Sequence, residues 1–227
     1  MNEDYYIMWL SSIKAINQIT KDRLLNSFSS AEAIYNAPRN ELLEKLDFDL
    51  ADKVYKAAHD GSLDMAVKRL GRAKAKYVSR YNKDFPIGLK YIDDVPMGIY
   101  YKGRLPENGE RIVTIAGARI CSDYGKNVAY QVACDLAKCG IVTVSSMTEG
   151  VDTSSAMGSL EAGGKVVATM GTEIDKYYPA INKGLCDKII DSGGCMISEY
   201  APGESVGKWA FSKRNRINIK DEASCLQ

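Results

Sequence analysis

The apolar positions of this chain follow two different periods. Over residues 4–60 they recur at helical spacing: Trp9, Ile13 and Ile16 form one set, and Leu24, Leu25 and Phe28 another. Ser29-Ser30-Ala31-Glu32 has the pattern of a capping box opening the next helix. Pro38 stands near the start of a helix over 41–46. Asp49 is expected to cap one more, which ends near His59 and Gly61. Residues 1–61 therefore read as a small all-helical module. Residues 62–110 read as a connector with a helix and two short strands, at 76–81 and 98–102, separated by a loop rich in Pro and Gly. This connector is expected to pack on the domain that follows.

From Arg111 the period changes. Four apolar runs follow, IVTIAGA (112–118), GIVTVSS (140–146), KVVATMG (165–171) and GCMISEY (194–200). Helical stretches at 124–139, 152–162 and 182–192 separate them. Strands that are apolar on both faces and alternate with helices imply a mostly parallel sheet covered on both sides. The fold class is thus α/β, a Rossmann-like doubly wound sheet over 111–227, with ligands expected at the carboxyl ends of its strands.

Composition narrows the function classes. Thirty basic and 29 acidic residues leave a net charge of +1, so only a local patch could attract a nucleic acid. No apolar run approaches the ~20 residues of a membrane span. The acidic start MNEDYYIMWL lacks the pattern of a secretory signal, so a cytoplasmic protein is expected, with no membrane partner. Cys121, Cys134, Cys139, Cys186, Cys195 and Cys225 include no Cys-x-x-Cys pair, and His59 is the single histidine. That excludes a recognisable metal site and points to reduced, buried thiols. It also argues against a Ser–His–Asp arrangement. Neither a catalytic residue nor a cofactor is expected.

Two stretches carry candidate chemistry. Gly117-Ala118-Arg119 ends the first run, with Ser122 or Asp123 placed to cap the next helix. A glycine permits close backbone approach, a helix start offers free N–H groups, and an arginine fork matches phosphate oxygens. After the second run, Gly150 and Asp152 read as turn and cap residues in what could be a second wall of the same cleft. After the third, Glu173 and Asp175 read as a solvated loop. The other candidate is residues 203–220. Lys208, Lys213, Arg214, Arg216 and Lys220 there oppose Glu204 alone, a local charge of +4, and Trp209 and Phe211 interleave with the cations. Cations track a phosphate backbone and exposed aromatics stack on unpaired bases. A solvated helix face with a buried aromatic has the same composition.

The order of these motifs resembles the DNA-processing protein A family (DprA/Smf). The matching residues are Gly117-Ala118-Arg119 with Tyr124-Gly125, SSMTEGVD (145–152), Leu160 to Gly164, and Asp175, Tyr178, Pro179 and Asn182. Ser198-Glu199 and Phe211-Ser212-Lys213-Arg214-Asn215-Arg216-Ile217 complete the series. The resemblance implies a non-catalytic protein that binds single-stranded DNA during natural transformation and recombination. It also implies help in loading RecA, and self-association as a homodimer. Carried over residue by residue, it makes Arg119, Gly207, Lys208, Phe211, Arg214 and Arg216 DNA contacts. Gly117 and Ala118 would shape the pocket, and Asn215 would brace the loop or touch DNA. In some relatives the N-terminal module resembles a sterile-alpha-motif or helix-hairpin-helix fold.

Departures from the family pattern include Ser146, Thr148, Ala156, Ser212 and Glu149, the last standing where arginine is usual. After Ile217 the chain runs to its end as NIKDEASCLQ where the family continues, so a shortened sheet is expected. Two other readings are a vestigial member of the family and a nucleotide-binding enzyme or sensor related to phosphoribohydrolases, for which Gly171-Thr172-Glu173 is the nearest signature.

Overall fold

A computed structural model describes residues 2–218; Lys220 and Cys225 lie outside the described residues. The chain divides into two compact units between Arg72 and Ala73. The expected connector is therefore split, its helix falling with the first unit and its strands with the second.

The first unit is built from α1 (Glu3–Ser12), α2 (Gln18–Ser27), α3 (Ala31–Asn36), α4 (Arg39–Leu43), α5 (Phe48–His59) and most of α6 (Ser62–Ala73). Side-chain oxygens of Asn2, Asn17, Ser30 and Asp47 cap four of these helices by accepting otherwise orphaned N–H groups. The cap of α5 is thus Asp47, not Asp49. Asp49 sits in the first turn and pairs with Lys53 four residues on. Trp9, Leu10, Leu24, Ile34, Leu42 and Val54 are buried, and Trp9 Nε1 donates to Ala57 O at 3.0 Å, tying α1 to α5.

Lys21 is also buried here, and its Nζ donates to Ser11 O at 2.6 Å. Burial pulls its pKa from 10.5 down to about 8. Between those values the unfolded chain holds a proton that the folded one has released, so this group's contribution to stability rises with pH across that window. Lys21→Met is therefore expected to raise the urea midpoint near neutral pH, with the gain shrinking toward about pH 10, in paired denaturation curves of wild type and variant.

The second unit holds one six-stranded sheet. Its strands are β1 (Lys76–Ser79), β2 (Gly98–Gly103), β3 (Ile112–Thr114), β4 (Val142–Ser145), β5 (Val166–Thr169) and β6 (Cys195–Ser198), in the order β1-β2-β6-β5-β4-β3. β3 to β6 are parallel, and β2 pairs antiparallel with both β1 and β6. The two connector strands thus extend the main sheet. The helices α7 (Asp123–Lys138), α8 (Val151–Glu161) and α9 (Lys183–Asp191) form the crossovers, and α10 (Trp209–Asn218) follows β6.

The mixed α/β class and the helical N-terminal part are as expected, and strand alternation gives the sheet two covered faces. Thr143 and Ser145 of β4 point to α8, where they hydrogen-bond Ser159 Oγ and Asp152 O. Val142 and Val144 point the other way, into a core with Val167, Ile197, Ile99, Phe85, Leu89 and Ile217 of α10. Among the described residues the parallel strands follow one another in chain order, with no reversal, so the winding runs in one direction there. Cys134, Cys186 and Cys195 are buried, and burial pushes the Cys195 thiol up to about 12. Cys139, at the end of α7, is exposed instead.

Candidate functional site

The carboxyl ends of β3, β4, β5 and β6 lie side by side, and α10 is bound to them by its own side chains. After β3 the chain leaves the sheet, and Gly117, Ala118 and Arg119 are exposed. The start of α8 holds this loop in place. Val151 N donates to Ala118 O at 3.3 Å, and Gly117 N donates to Asp152 Oδ1 at 3.3 Å. A Cβ on Gly117 would lie 2.8 Å from the Val151 side chain, so the glycine is needed for close approach. Ser122 caps α7 by accepting from Gly125 N at 3.2 Å, and Asp123 occupies the exposed first turn.

The turn after β4 is braced from two sides. Asn182 Nδ2 donates to Met147 O and Thr153 Oγ1, each at 2.9 Å, and Thr148 Oγ1 donates to Asp152 Oδ2 at 2.8 Å. Asp152 is buried, and burial raises its pKa. Its bonds from Thr148 and Gly117 and the charge of Arg214 oppose that rise. Asp152 is thus the joint between the two loops, a larger role than a helix cap. Glu149 is exposed and lines a cavity with Lys126, Thr153 and Asn182.

The turn after β5 corrects one expectation. Glu173 is buried, because Thr172 Oγ1 closes on Lys176 O at 2.6 Å and Ile174 N bonds Tyr200 O at 3.3 Å. Asp175 is exposed, as expected of a loop carboxylate, and accepts from Gly203 N at 3.2 Å. Phe211 packs directly on Gly171, where a Cβ would come within 2.8 Å of its ring. The ring of Tyr178, itself half exposed, meets Phe211 at 4.9 Å between centroids.

The cations of residues 208–216 separate into distinct roles. Arg214, expected to contact DNA, is only 3% exposed. Its Nη1 donates to Ser146 O at 2.9 Å and to Thr169 O, and its Nε donates to Asn215 Oδ1 at 3.3 Å. Burial lowers its pKa to about 10, with the charge of Asp152 opposing the shift. It clamps α10 to the ends of β4 and β5, because Ala210, Arg214 and Ile217 form the buried stripe of that helix. Asn218 completes the clamp, bonding Ser146 Oγ at 2.6 Å and also joining Thr169 and Thr114. Arg216, also expected to contact DNA, is drawn to carboxylates. It pairs with Glu199, and its Nη2 lies 3.7 Å from Asp94, which Lys213 Nζ approaches at 3.5 Å. Gly207, Lys208 and Asn215 are exposed, with Gly207 and Lys208 just before the start of α10.

The surface at the strand ends thus combines an exposed arginine on a glycine-built loop, an exposed lysine before a helix start, and half-buried aromatics. Among the described residues no cluster of three His, Cys, Asp or Glu side chains could hold a metal. No described helix is long and apolar enough to cross a membrane.

Residues 76–219 match the profile of the family described as DNA recombination-mediator protein A. Protein Smf of Borreliella burgdorferi is 26% identical over 211 residues, covering 93% of this chain and 67% of that protein. DNA processing protein DprA of Streptococcus pneumoniae is 38% identical over 133 residues, covering 59% of this chain and 46% of that protein. The X-ray structure of the Streptococcus pneumoniae DprA superposes with a TM-score of 0.74 at 28% identity, over 96% of this chain and 74% of that one. A structure of DNA processing protein A from Helicobacter pylori, described as revealing a single-stranded DNA binding mode, superposes with a TM-score of 0.53 at 27% identity. It covers 64% of this chain and 65% of that one. The chain thus spans between about half and two thirds of the length of these two curated relatives.

Proposed function

The chain belongs to the DNA recombination-mediator protein A family, and on that premise we propose that its strand-end surface binds single-stranded DNA with little sequence preference. The observation that carries this reading is the exposed Arg119, held on a loop that Gly117, Gly150 and Asp152 fix in position. A guanidinium presented from a loop fixed by main-chain bonds suits a phosphate, and the fixed loop limits the ordering cost of binding. Lys208 supplies a second phosphate contact. Phe211 and Tyr178 offer ring surface, which only unpaired bases can reach. The Helicobacter pylori protein, described as binding single-stranded DNA, supports the same choice of ligand.

In this reading the protein is a non-catalytic accessory factor for DNA processing in uptake and recombination. Loading of RecA and pairing with a second copy belong to the same proposal. The phosphoribohydrolase alternative gains no support, because its nearest signature ends in the buried Glu173 beneath a closed turn.

Fluorescence anisotropy of a labelled oligothymidine tests the proposal. Binding is expected at low salt and should weaken steeply as salt rises. Arg119→Ala and Lys208→Ala should each lower affinity about tenfold and flatten the log–log salt dependence by about 0.7, the single-strand value per phosphate lost. Neither should move the unfolding midpoint, since both side chains are exposed. No binding at low salt would sink the reading.

A further inference from the structure

α10 carries two outward stripes, and the strand-end surface uses only one of them. Phe211 and Asn215 lie on one, following Lys208. Trp209, Lys213 and Arg216, at helical offsets of four and seven, lie on another. Trp209 is 59% exposed, unusual for the largest apolar side chain. It is nevertheless held in place. Its ring meets Tyr200 edge-on at 5.8 Å and 87°, and it rests on Gly207, where a Cβ would lie 2.8 Å from the indole. Supports at an edge and at Gly207, with more than half the side chain open, make a rigid stacking platform rather than a loose surface residue. Lys213 stands one turn along the same stripe, and Asp94, its anionic neighbour at 3.5 Å, is itself exposed.

We propose that this second stripe continues the single-strand path, with Trp209 stacking an unpaired base and Lys213 taking the next phosphate in exchange for Asp94. The inference rests on the single-strand reading above and adds a site to it. Charge complementarity selects the occupant: an aromatic beside two cations suits a polyanion with exposed bases better than a neutral apolar segment. Asp94 then acts as a competitor, holding Lys213 until a phosphate displaces it, while Arg216 stays paired with Glu199.

Tryptophan emission provides a direct readout, because the chain has two tryptophans and the other, Trp9, is buried in the helical unit. Adding oligothymidine of about 20 nucleotides, longer than the roughly 4–16 that one OB fold covers, should quench emission in step with anisotropy. The quench should vanish in Trp209→Phe. Trp209→Ala should weaken binding about five- to tenfold. Lys213→Ala should flatten the salt dependence by about 0.7. Asp94→Asn should tighten binding by roughly two- to fivefold, as removal of one exposed competing charge predicts. Normal anisotropy binding with unchanged emission and an unchanged Trp209→Ala affinity would overturn this inference and leave the single-strand reading intact. No anisotropy change in the wild type would overturn both.

Discussion

Arg214→Ala should lower the unfolding free energy of the sheet unit by about 3–5 kcal/mol, the range for removing one member of a buried charged network. Truncation leaves the carbonyls of Ser146 and Thr169 without their guanidinium donor, at about 1–3 kcal/mol for each buried acceptor left unsatisfied. It also strips Asp152 of a favourable positive neighbour, and with it a restraint on the loop carrying Arg119. Arg214→Lys should recover less than half of the loss, because an ammonium on a flexible stem cannot reproduce the planar fork. Chemical denaturation followed by circular dichroism measures both effects. A midpoint that barely moves in Arg214→Ala would show that the buried guanidinium is not the clamp. Arg119→Ala is the counterpart, losing affinity while the midpoint stays put. Two arginines expected to contact DNA would then be separated by experiment, one acting through the fold and the other through contact.

That separation was only partly legible in the sequence. The four parallel strands and their crossover helices could be read because a buried sheet demands unbroken apolar runs, and 142–145, 166–169 and 195–198 lie inside such runs. The turn at Gly117–Arg119 is legible because a glycine at a strand end marks a close backbone approach, here to Val151. Residues 209–218 hide their burial for a definite reason. The buried stripe of α10 is Ala210, Arg214, Ile217 and Asn218, which presents one aliphatic side chain larger than alanine, so its helical period is nearly silent. The surrounding cations then look alike, although burial reserves one of them for main-chain carbonyls. Glu173 departs from expectation for a similar reason. A carboxylate in a loop is usually solvated, and only the closing bond from Thr172 to Lys176 O folds this turn inward. Asp152 shows the opposite case. Its position at a helix start was evident, but its bond to the amide of Gly117 spans two loops that local sequence does not connect.

Gly150→Ala should be a damaging small substitution at the candidate site. Gly150 has φ +79° and ψ −125°, outside the left-handed helical region and nearly restricted to glycine, a conformation that costs an L-residue about 1–3 kcal/mol. A new Cβ would also lie 2.4 Å from Ala118 O and 2.5 Å from Arg119 O, and both are main-chain atoms that cannot rotate away. Relieving that overlap adds about 1–3 kcal/mol and requires the loop itself to move. The total expected loss is about 3 kcal/mol, accompanied by weakened single-strand binding, since the displaced carbonyls flank the residue that carries the guanidinium. Gly163→Ala separates the two causes. Its φ is +75° and nothing lies within 4 Å of a Cβ there, so only the cost of a positive φ, about 1 kcal/mol, should appear and binding should be unchanged. A loss at Gly150 no larger than that at Gly163 would mean that the contact with Ala118 O and Arg119 O costs little. A larger loss at Gly150, with affinity falling alongside it, would place the demand for glycine in the contact between the β4–α8 turn and the loop that presents Arg119.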